Sequence, residues 1–491
     1  MPKFVLLATD IVLLLILLAM FWYVRHAWRN ANLRKTWRIV GRNAAAMCSA
    51  VLLLLFLATA VLDSIHFRPL LPPAPGAAAN VEPAYATTTL SLLDQLLSGP
   101  REAREKSYSI PLGTHRFSKE SMQIDGASVR DYPRLEFGGK HLSNPAQQWL
   151  TDVVQRSLTG LLFGLFLSLL LWLITAWLMA RLTGGGFQAT WRALLSNQTA
   201  LPWRAMLLTA SVVLLFAGWV SALWPYYHVL GTDQTGNDIL LQALKSIRTA
   251  VIIGSVATIA TLPFAVMLGV LAGYFKGWVD DIIQYTYTVL SSIPSVLLIA
   301  ACVLLIQGFV DSHPDVFVTG LERADVRLFF LATILGLTGW ASLARLLRAE
   351  TFKLVELDYV QAARAFGVSH WGIMRRHILP NVIHIVLIVS VLDFSGLVLL
   401  EAVLSYVGVG VDPTTISFGT MINSARTELA RDPAIWWNLL AGFAFMVTMV
   451  LSLQLFASGV QDAFDPRAHA LRVQRKARTL AVQGAQAKDG A

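Results

Sequence analysis

The stretch DYVQAARAFGVSHWGIMRRHILPN, residues 358–381, stands between two long apolar runs. It carries four charged side chains, two histidines, two glycines and a proline. Asp358 and Gln361 have the spacing of a capping box, an N-cap side chain and a partner three residues on that satisfy free amides at a helix start. Gly367 supplies the left-handed residue that ends a helix. Between them, Tyr359, Ala362, Ala363 and Phe366 fall at i, i+3, i+4 and i+7, one helical face with small residues at its centre. Ser369 is placed to cap a second short helix running to Leu379, where Pro380 opens the next apolar run. Two turns are too short to be stable in water. This helix must therefore pack on something, either the protein's own helix ends or a partner.

The surrounding chain says which solvent is involved. Of its 491 residues, 55% are apolar and 14% charged, against about 25% charged in ordinary globular chains. A bilayer core about 30 Å thick needs roughly 20 apolar residues as a helix. That ruler gives nine spans, at 4–24, 44–62, 157–180, 205–223, 249–273, 287–306, 328–347, 382–400 and 437–458. The expected fold is an all-α polytopic membrane protein. The first run is too long for a signal peptide and is followed by basic residues with no small-residue cleavage site, so it reads as a retained helix. Both cysteines, Cys48 and Cys302, lie in apolar runs, which argues against a disulfide framework.

Lysine and arginine set the orientation. Residues 25–43 hold six positive charges and no acid, and 181–204 hold Arg181, Arg192 and Arg204. The opening stretch lies among Arg345, Arg348, Lys353, Arg364, Arg375 and Arg376, and the tail is basic again. Nine spans place all four on the cytoplasmic side, with the N-terminus outside. The net charge of +9 thus reads as membrane orientation, with lipid and not nucleic acid as the partner.

The organisation expected is two N-terminal helices with a basic loop (1–62), an extracytoplasmic cap (63–156), a third extra helix with its loop (157–204), a six-helix core (205–467) and a basic cytoplasmic tail (468–491). The cap opens with PLLPPAPG (69–76) and balances ten acids against ten bases. SLLDQLL (91–97) reads as a short helix, and YSIPLG and RLEFGG as extended pieces, giving a small α/β insertion. A loosely ordered loop is the plainer alternative.

QAARAFGVSHWGIMRRHILP resembles the EAA loop of bacterial ABC importer permeases. In that loop a Glu-Ala-Ala triplet is followed after three residues by a glycine, and about a dozen residues later by Leu-Pro. Here the positions are Gln361-Ala362-Ala363, Gly367 and Leu379-Pro380. Glutamine replaces the acid, which puts any salt bridge of the family's glutamate in doubt. His377 before Ile-Leu-Pro-Asn is similar to the dipeptide/oligopeptide/nickel branch. GTDQTGND (231–238) resembles that branch's GTDxxGRD, with Asn237 in place of arginine. EAVLSYVGVGVDP (401–413) and VQDAFDPR (460–467) are similar to its later segments. The resemblance covers about residues 205–467. It implies a permease subunit whose loop, through Tyr359, Gln361, Ala362, Ala363, Phe366, Gly367, His377 and Pro380, docks into cytoplasmic ATPases. It also implies a second permease, two ATPase subunits that bind ATP and Mg, and an extracytoplasmic substrate-binding protein. No Walker A pattern occurs in this chain, so no cofactor of its own is expected and the energy must come from partners.

Polar residues inside apolar runs are the remaining candidates. Asp10, Asp393 and Glu401 are expensive there and commonly face a bundle interior or cavity. Glu401 is equally well an interfacial carboxylate. Ser291, Ser292 and Pro294 in LSSIPS break a helix and resemble a family segment lining the passage. Gly231, Thr232, Asp233, Gly236 and Asp238 form the extracytoplasmic motif, with Asp233 and Asp238 expected to cap a short helix at 239–247. His370, His377 and His384 recur every seven residues without neighbouring carboxylates or cysteines, so no metal site is expected. The rival functions are an ion-gradient-driven carrier using Asp10, Asp393 and Glu401 as a relay, and a permease-like assembly handling antimicrobial peptides or envelope components.

Overall fold

The computed structural model describes residues 3–71, 85–86, 88–124, 127–313 and 319–464. Strand β1 (Lys3–Val5) leads into α1 (Ala8–Arg29), α2 (Ala31–Val40) and α3 (Ala44–Asp63). A small segment follows with β2 (His66–Arg68), β3 (Leu90–Ser91), α4 (Leu92–Leu96), α5 (Ser98–Glu102), β4 (Glu120–Ile124) and β5 (Ala127–Asp131). Then come α6 (Pro145–Thr183), α7 (Phe187–Leu195), α8 (Trp203–Leu223), α9 (Ile239–Phe275), α10 (Gly277–Ser292), α11 (Ser295–Ser312) and α12 (Gly320–Val355). The chain closes with α13 (Asp358–Ala365), α14 (His370–Ile373), α15 (Leu379–Val407), α16 (Phe418–Leu429) and α17 (Trp437–Phe464). Among the described residues nine helices are long and apolar enough to cross a membrane. The all-α polytopic fold is therefore present.

Three spans differ from expectation, each for a local reason. Helix α6 starts at Pro145, twelve residues before the apolar run, because proline fits the first turn of a helix. Its first turns are polar and lie within the 63–156 segment expected to form the insertion. Residues 239–247 are no separate helix but the first turns of α9, which continues unbroken to Phe275. The run 287–306 is divided: Ile293 is extended (ψ 130°) and Pro294 is the N-cap of α11, so α10 ends at Ser292 and, of this run, only Ser295–Ser312 has spanning character.

Helices approach closely where glycine permits. A Cβ on Gly160 of α6 would lie 2.5 Å from the Gly218 carbonyl of α8, and one on Gly164 would lie 2.6 Å from Leu214 O. The spacing Gly160-x-x-x-Gly164 is the small-residue contact that membrane helices use where lipid offers no hydrophobic drive. The α9–α12 pair is built likewise, with Gly336 facing Ala257 O at 2.3 Å from an added Cβ.

Strand β1 pairs antiparallel with β2, and β2 with β3, tying the start of α1 to the end of α3. SLLDQLL does form a helix: Ser91 Oγ accepts from Asp94 N at 3.0 Å, and the Asp94 carboxylate accepts from Ser91 N at 3.1 Å. YSIPLG and RLEFGG make only single bridges, Ser109 to Arg116 and His115 to Arg134. The five-residue strands β4 and β5 pair with each other antiparallel.

A buried ionic knot fastens α1 to the core at this same end. Arg248 Nη2 donates to Asp10 Oδ1 at 2.6 Å and to Thr9 Oγ1 at 3.0 Å, and Arg248 Nε donates to Ser64 Oγ at 3.1 Å. His66 Nδ1 lies 2.8 Å from Asp10 Oδ2, and the Thr9 amide and hydroxyl donate to Asp325 of α12. At the opposite end α2 packs against α17, with the Trp37 and Phe464 rings edge to face at 5.7 Å.

Candidate functional site

The loop that opened the reading lies at the α2 end. Its first helix starts differently from expectation: the N-cap is Leu357, Asp358 is already helical, and no side chain caps it. Gln361 Nε2 instead donates to the Glu356 carbonyl at 3.2 Å. The hydrophobic Leu357 takes the cap position because it ends a two-residue link from α12, closing the turn with Leu357 N to Leu354 O at 3.2 Å. Gly367 has φ +76°, the left-handed conformation expected. Ser369 Oγ accepts from Gly372 N at 3.2 Å and caps α14. There is no second isolated helix ending at Leu379. A π-helical turn (Met374–Ile378) joins α14 to α15, so the chain runs as one helix from His370 to Val407. Pro380 is the second residue of α15, directly after the π-helical turn, a local irregularity of the kind that accommodates a proline inside a longer helix.

The four-residue face also divides. Val360 is buried, and Ala363 packs beside it against the apolar cluster of Leu347, Ile373 and Ile378. Tyr359, Ala362 and Phe366 point outward. Phe366 is 88% exposed and Trp371 69%, large apolar areas for two side chains beyond the apolar spans. The loop is nevertheless rigidly placed. Asn381 Nδ2 donates to Tyr359 Oη at 3.2 Å, Tyr359 stacks obliquely on half-buried His377, and His370 Nδ1 lies 2.8 Å from Tyr274 Oη of α9. Lys276 and Glu356 pair at 2.5 Å, and Arg348 binds Asp280 through two guanidinium nitrogens. These contacts fasten the loop region to α9, α10, α12 and α15.

The Gly231–Asp238 loop lies at the other end, under the inserted segment. Gly231 and Gly236 both have φ +77°. A Cβ on Gly236 would sit 1.8 Å from Glu105 O, so the insertion touches backbone there. Thr232 is fully buried: its Oγ1 donates to Ser107 O at 2.9 Å and accepts from Ser109 N at 2.7 Å. Asp238 caps α9 through Leu241 N at 3.0 Å, as expected. Asp233 does not cap that helix; it accepts from Thr235 N and Asn237 N within its own loop and from Gln242 Nε2 at 2.6 Å.

Two clamp residues went unnoticed in the sequence, Glu105 and His228. His228 Nδ1 lies 2.9 Å from Asp238 Oδ2, and its Nε2 lies 3.6 Å from Glu105 Oε1. Burial opposes the imidazolium, but the two carboxylates outweigh it and lift His228 to about 9. Burial likewise opposes the Glu105 charge. His228 and the amides of Glu136, Phe137 and Gly138 overcome it and hold Glu105 at about 2. No spacing rule finds this clamp, because Glu105 sits in a charge run that reads as solvated surface.

Of the proposed relay carboxylates, Asp10 is in the ionic knot. Glu401 is fully buried, its Oε1 accepting from Ser405 Oγ at 2.7 Å and Ser417 Oγ at 2.9 Å. It anchors the loop before α16 and does not line an opening. Asp393 stands apart, so the three acids form no chain. Ser291, Ser292 and Pro294 are exposed at the α10–α11 break.

Among the described residues, a bundle of nine spanning helices carries an exposed apolar loop at one end, the architecture of a membrane-embedded protein. The sequence matches the family described as binding-protein-dependent transport system inner membrane component over residues 265–470. It is 30% identical over 245 residues to the oligopeptide transport system permease protein OppC of Mycobacterium tuberculosis, covering 50% of this chain and 78% of that protein. It is 29% identical over 241 residues to the dipeptide transport system permease protein DppC of Lactococcus lactis, covering 49% and 64%. A third relative is the peptidoglycan transport system permease protein YejE of Agrobacterium fabrum, 34% identical over 241 residues, covering 48% and 57%. The chain belongs to this family of binding-protein-dependent permeases. It is a multi-pass membrane component of an ABC importer, a transport subunit that works with other transporter subunits.

Proposed function

We propose that this chain forms one half of the translocation pathway for peptides, in the bacterial inner membrane, beside a second permease subunit. Two cytoplasmic ATPases, which bind ATP and Mg, grip the α13 loop, and an extracytoplasmic binding protein delivers cargo. The observation that carries this reading is the apolar surface of Tyr359, Ala362, Phe366 and Trp371, exposed beyond the apolar spans on a loop braced against four core helices. Peptide cargo is supported by relatives named for oligopeptide and dipeptide transport. The relative named for peptidoglycan transport favours a second reading, uptake of peptide-bearing envelope fragments. The complex, reconstituted in vesicles with ATP inside the lumen that faces the ATPases, should accumulate a labelled tripeptide. Accumulation of muropeptides alone would select the second reading, and accumulation of neither would refute both.

The inserted segment belongs on the receiving side. A groove of about 440 Å3 is shared between it, through Asp94, Arg101 and Arg104, and the core, through Asp233, Gln242, Lys245 and Thr414–Ile416. This supports a role in receiving cargo or its binding protein. The charge balance of residues 63–156 makes recognition a matter of shape more than of long-range steering.

Orientation has a direct test. Single cysteines at Ser121 and Ser196, both exposed positions, are placed in a background lacking Cys48 and Cys302. An impermeant thiol reagent applied to intact spheroplasts should label only the first. Labelling at Ser196 would reverse the assignment of sides.

A further inference from the structure

Asp393 lies midway along α15 and is half-buried, and among the described residues it has no ion-pair or hydrogen-bond partner. The other acids within the spanning helices are bonded or sit near helix ends: Asp10 and Asp325 in the ionic knot, Asp311 with Arg327, and Glu401 with two serines. A carboxylate turned toward lipid at mid-membrane is too costly to keep, so Asp393 must face water or another polar group in the assembled transporter.

Its surroundings favour a water-filled passage. One turn on, a Cβ at Gly396 would meet nothing within 4 Å, leaving a notch beside the carboxylate. One turn back, Val389 packs on the same apolar cluster as Leu290 of α10, the residue just before Ser291 and Ser292. Ser291, Ser292 and Pro294 at the α10–α11 junction are exposed, and irregular backbone at membrane depth is tolerated where it lines a cavity. On α15 itself an open notch and an unpaired acid share one turn of a helix that continues through the π-helical turn to His370.

We propose that Asp393 receives the cationic amino group of the peptide in transit and so selects cargo with a free amino terminus. This rests on the peptide reading given above. A charge-assisted hydrogen bond to a desolvated ammonium is the interaction that a lone carboxylate in such a place can offer.

The test uses the whole transporter, purified with its partner subunits and reconstituted in vesicles. Uptake of trialanine is compared with that of N-acetyl-trialanine for the wild type, Asp393→Asn and Asp393→Glu. The wild type should take up the free amine roughly ten- to a hundredfold faster. Asp393→Asn should bring the two rates together, and Asp393→Glu should keep the preference, with subunit co-purification unchanged in all three. A preference that survives in Asp393→Asn overturns the proposal. So does loss of co-purification in that variant, which would mean the carboxylate pairs with a neighbouring subunit. If the wild type moves neither peptide, the peptide reading itself fails, and that is seen before any substitution is made.

Discussion

Phe366→Asp is expected to abolish ATP-driven uptake and release the ATPase subunits, while the permease stays folded and inserted. Phe366 touches little of its own chain, being 88% exposed, so its removal costs the isolated permease almost nothing. At a docked interface the same ring is the type of buried aromatic anchor whose truncation costs about 2 kcal/mol or more, roughly thirtyfold in affinity. An aspartate adds an unpaired charge to an apolar contact, which makes the loss larger. Gly367→Val should act on the same interface by another route. With φ +76° at that position, a β-branched residue costs roughly 1–2 kcal/mol, and the α13–α14 turn loses its angle. Val360→Ala is the contrasting variant: Val360 is buried in the core cluster, so that change lowers permease stability first. Co-purification and substrate-stimulated ATP hydrolysis read the outcome. Retention of the ATPases by Phe366→Asp at wild-type yield would refute the docking surface.

That variant differs from the one the linear pattern suggests. A helical wheel puts Ala363 at the centre of an outward face, and only the packing of Val360 and Ala363 on Leu347 and Ile378 turns that edge inward. The spans were legible because dehydration imposes a length on any apolar helix, and the loop was legible because its glycine and serine do local jobs. What could not be read depends on local geometry that hydropathy and spacing do not register, or on partners far away in the chain. Asp358 loses its cap role to the short link from α12. Helix α6 begins in polar sequence that hydropathy does not register. The Gly231–Asp238 loop looks free to meet substrate, yet Ser107, Ser109 and Glu105 close over it from more than a hundred residues away. The relay idea failed for a similar reason: Arg248 and His66 claim Asp10 from far along the chain, and Ser417, with Ser405 one turn on, claims Glu401.

His228→Ala should loosen the inserted segment from the core more than any other single change in that region. His228 is 3% exposed and stands between Glu105 of the insertion and Asp238 of the core motif. Removing it leaves two buried carboxylates facing a void, and breaking a buried pair in this way costs about 3–5 kcal/mol. Glu105 reports the result directly, since it accepts from the amides of Glu136, Phe137 and Gly138 at 2.9, 2.9 and 3.1 Å. Hydrogen-exchange protection of those three amides should fall roughly a hundredfold or more for a loss of about 3 kcal/mol. The pH dependence has a definite sign in the wild type. His228 is raised from 6.5 to about 9, so its contribution is complete below 6.5 and lost as pH rises through 9. Glu105 is lowered from 4.5 to about 2, so its contribution is present above 4.5 and lost as pH falls toward 2. The clamp is therefore strongest between these windows, and protection of the three amides should decline on both sides. In His228→Gln the alkaline decline should vanish while the acid decline remains. An alkaline decline of equal size in that variant would show that another group holds the insertion down.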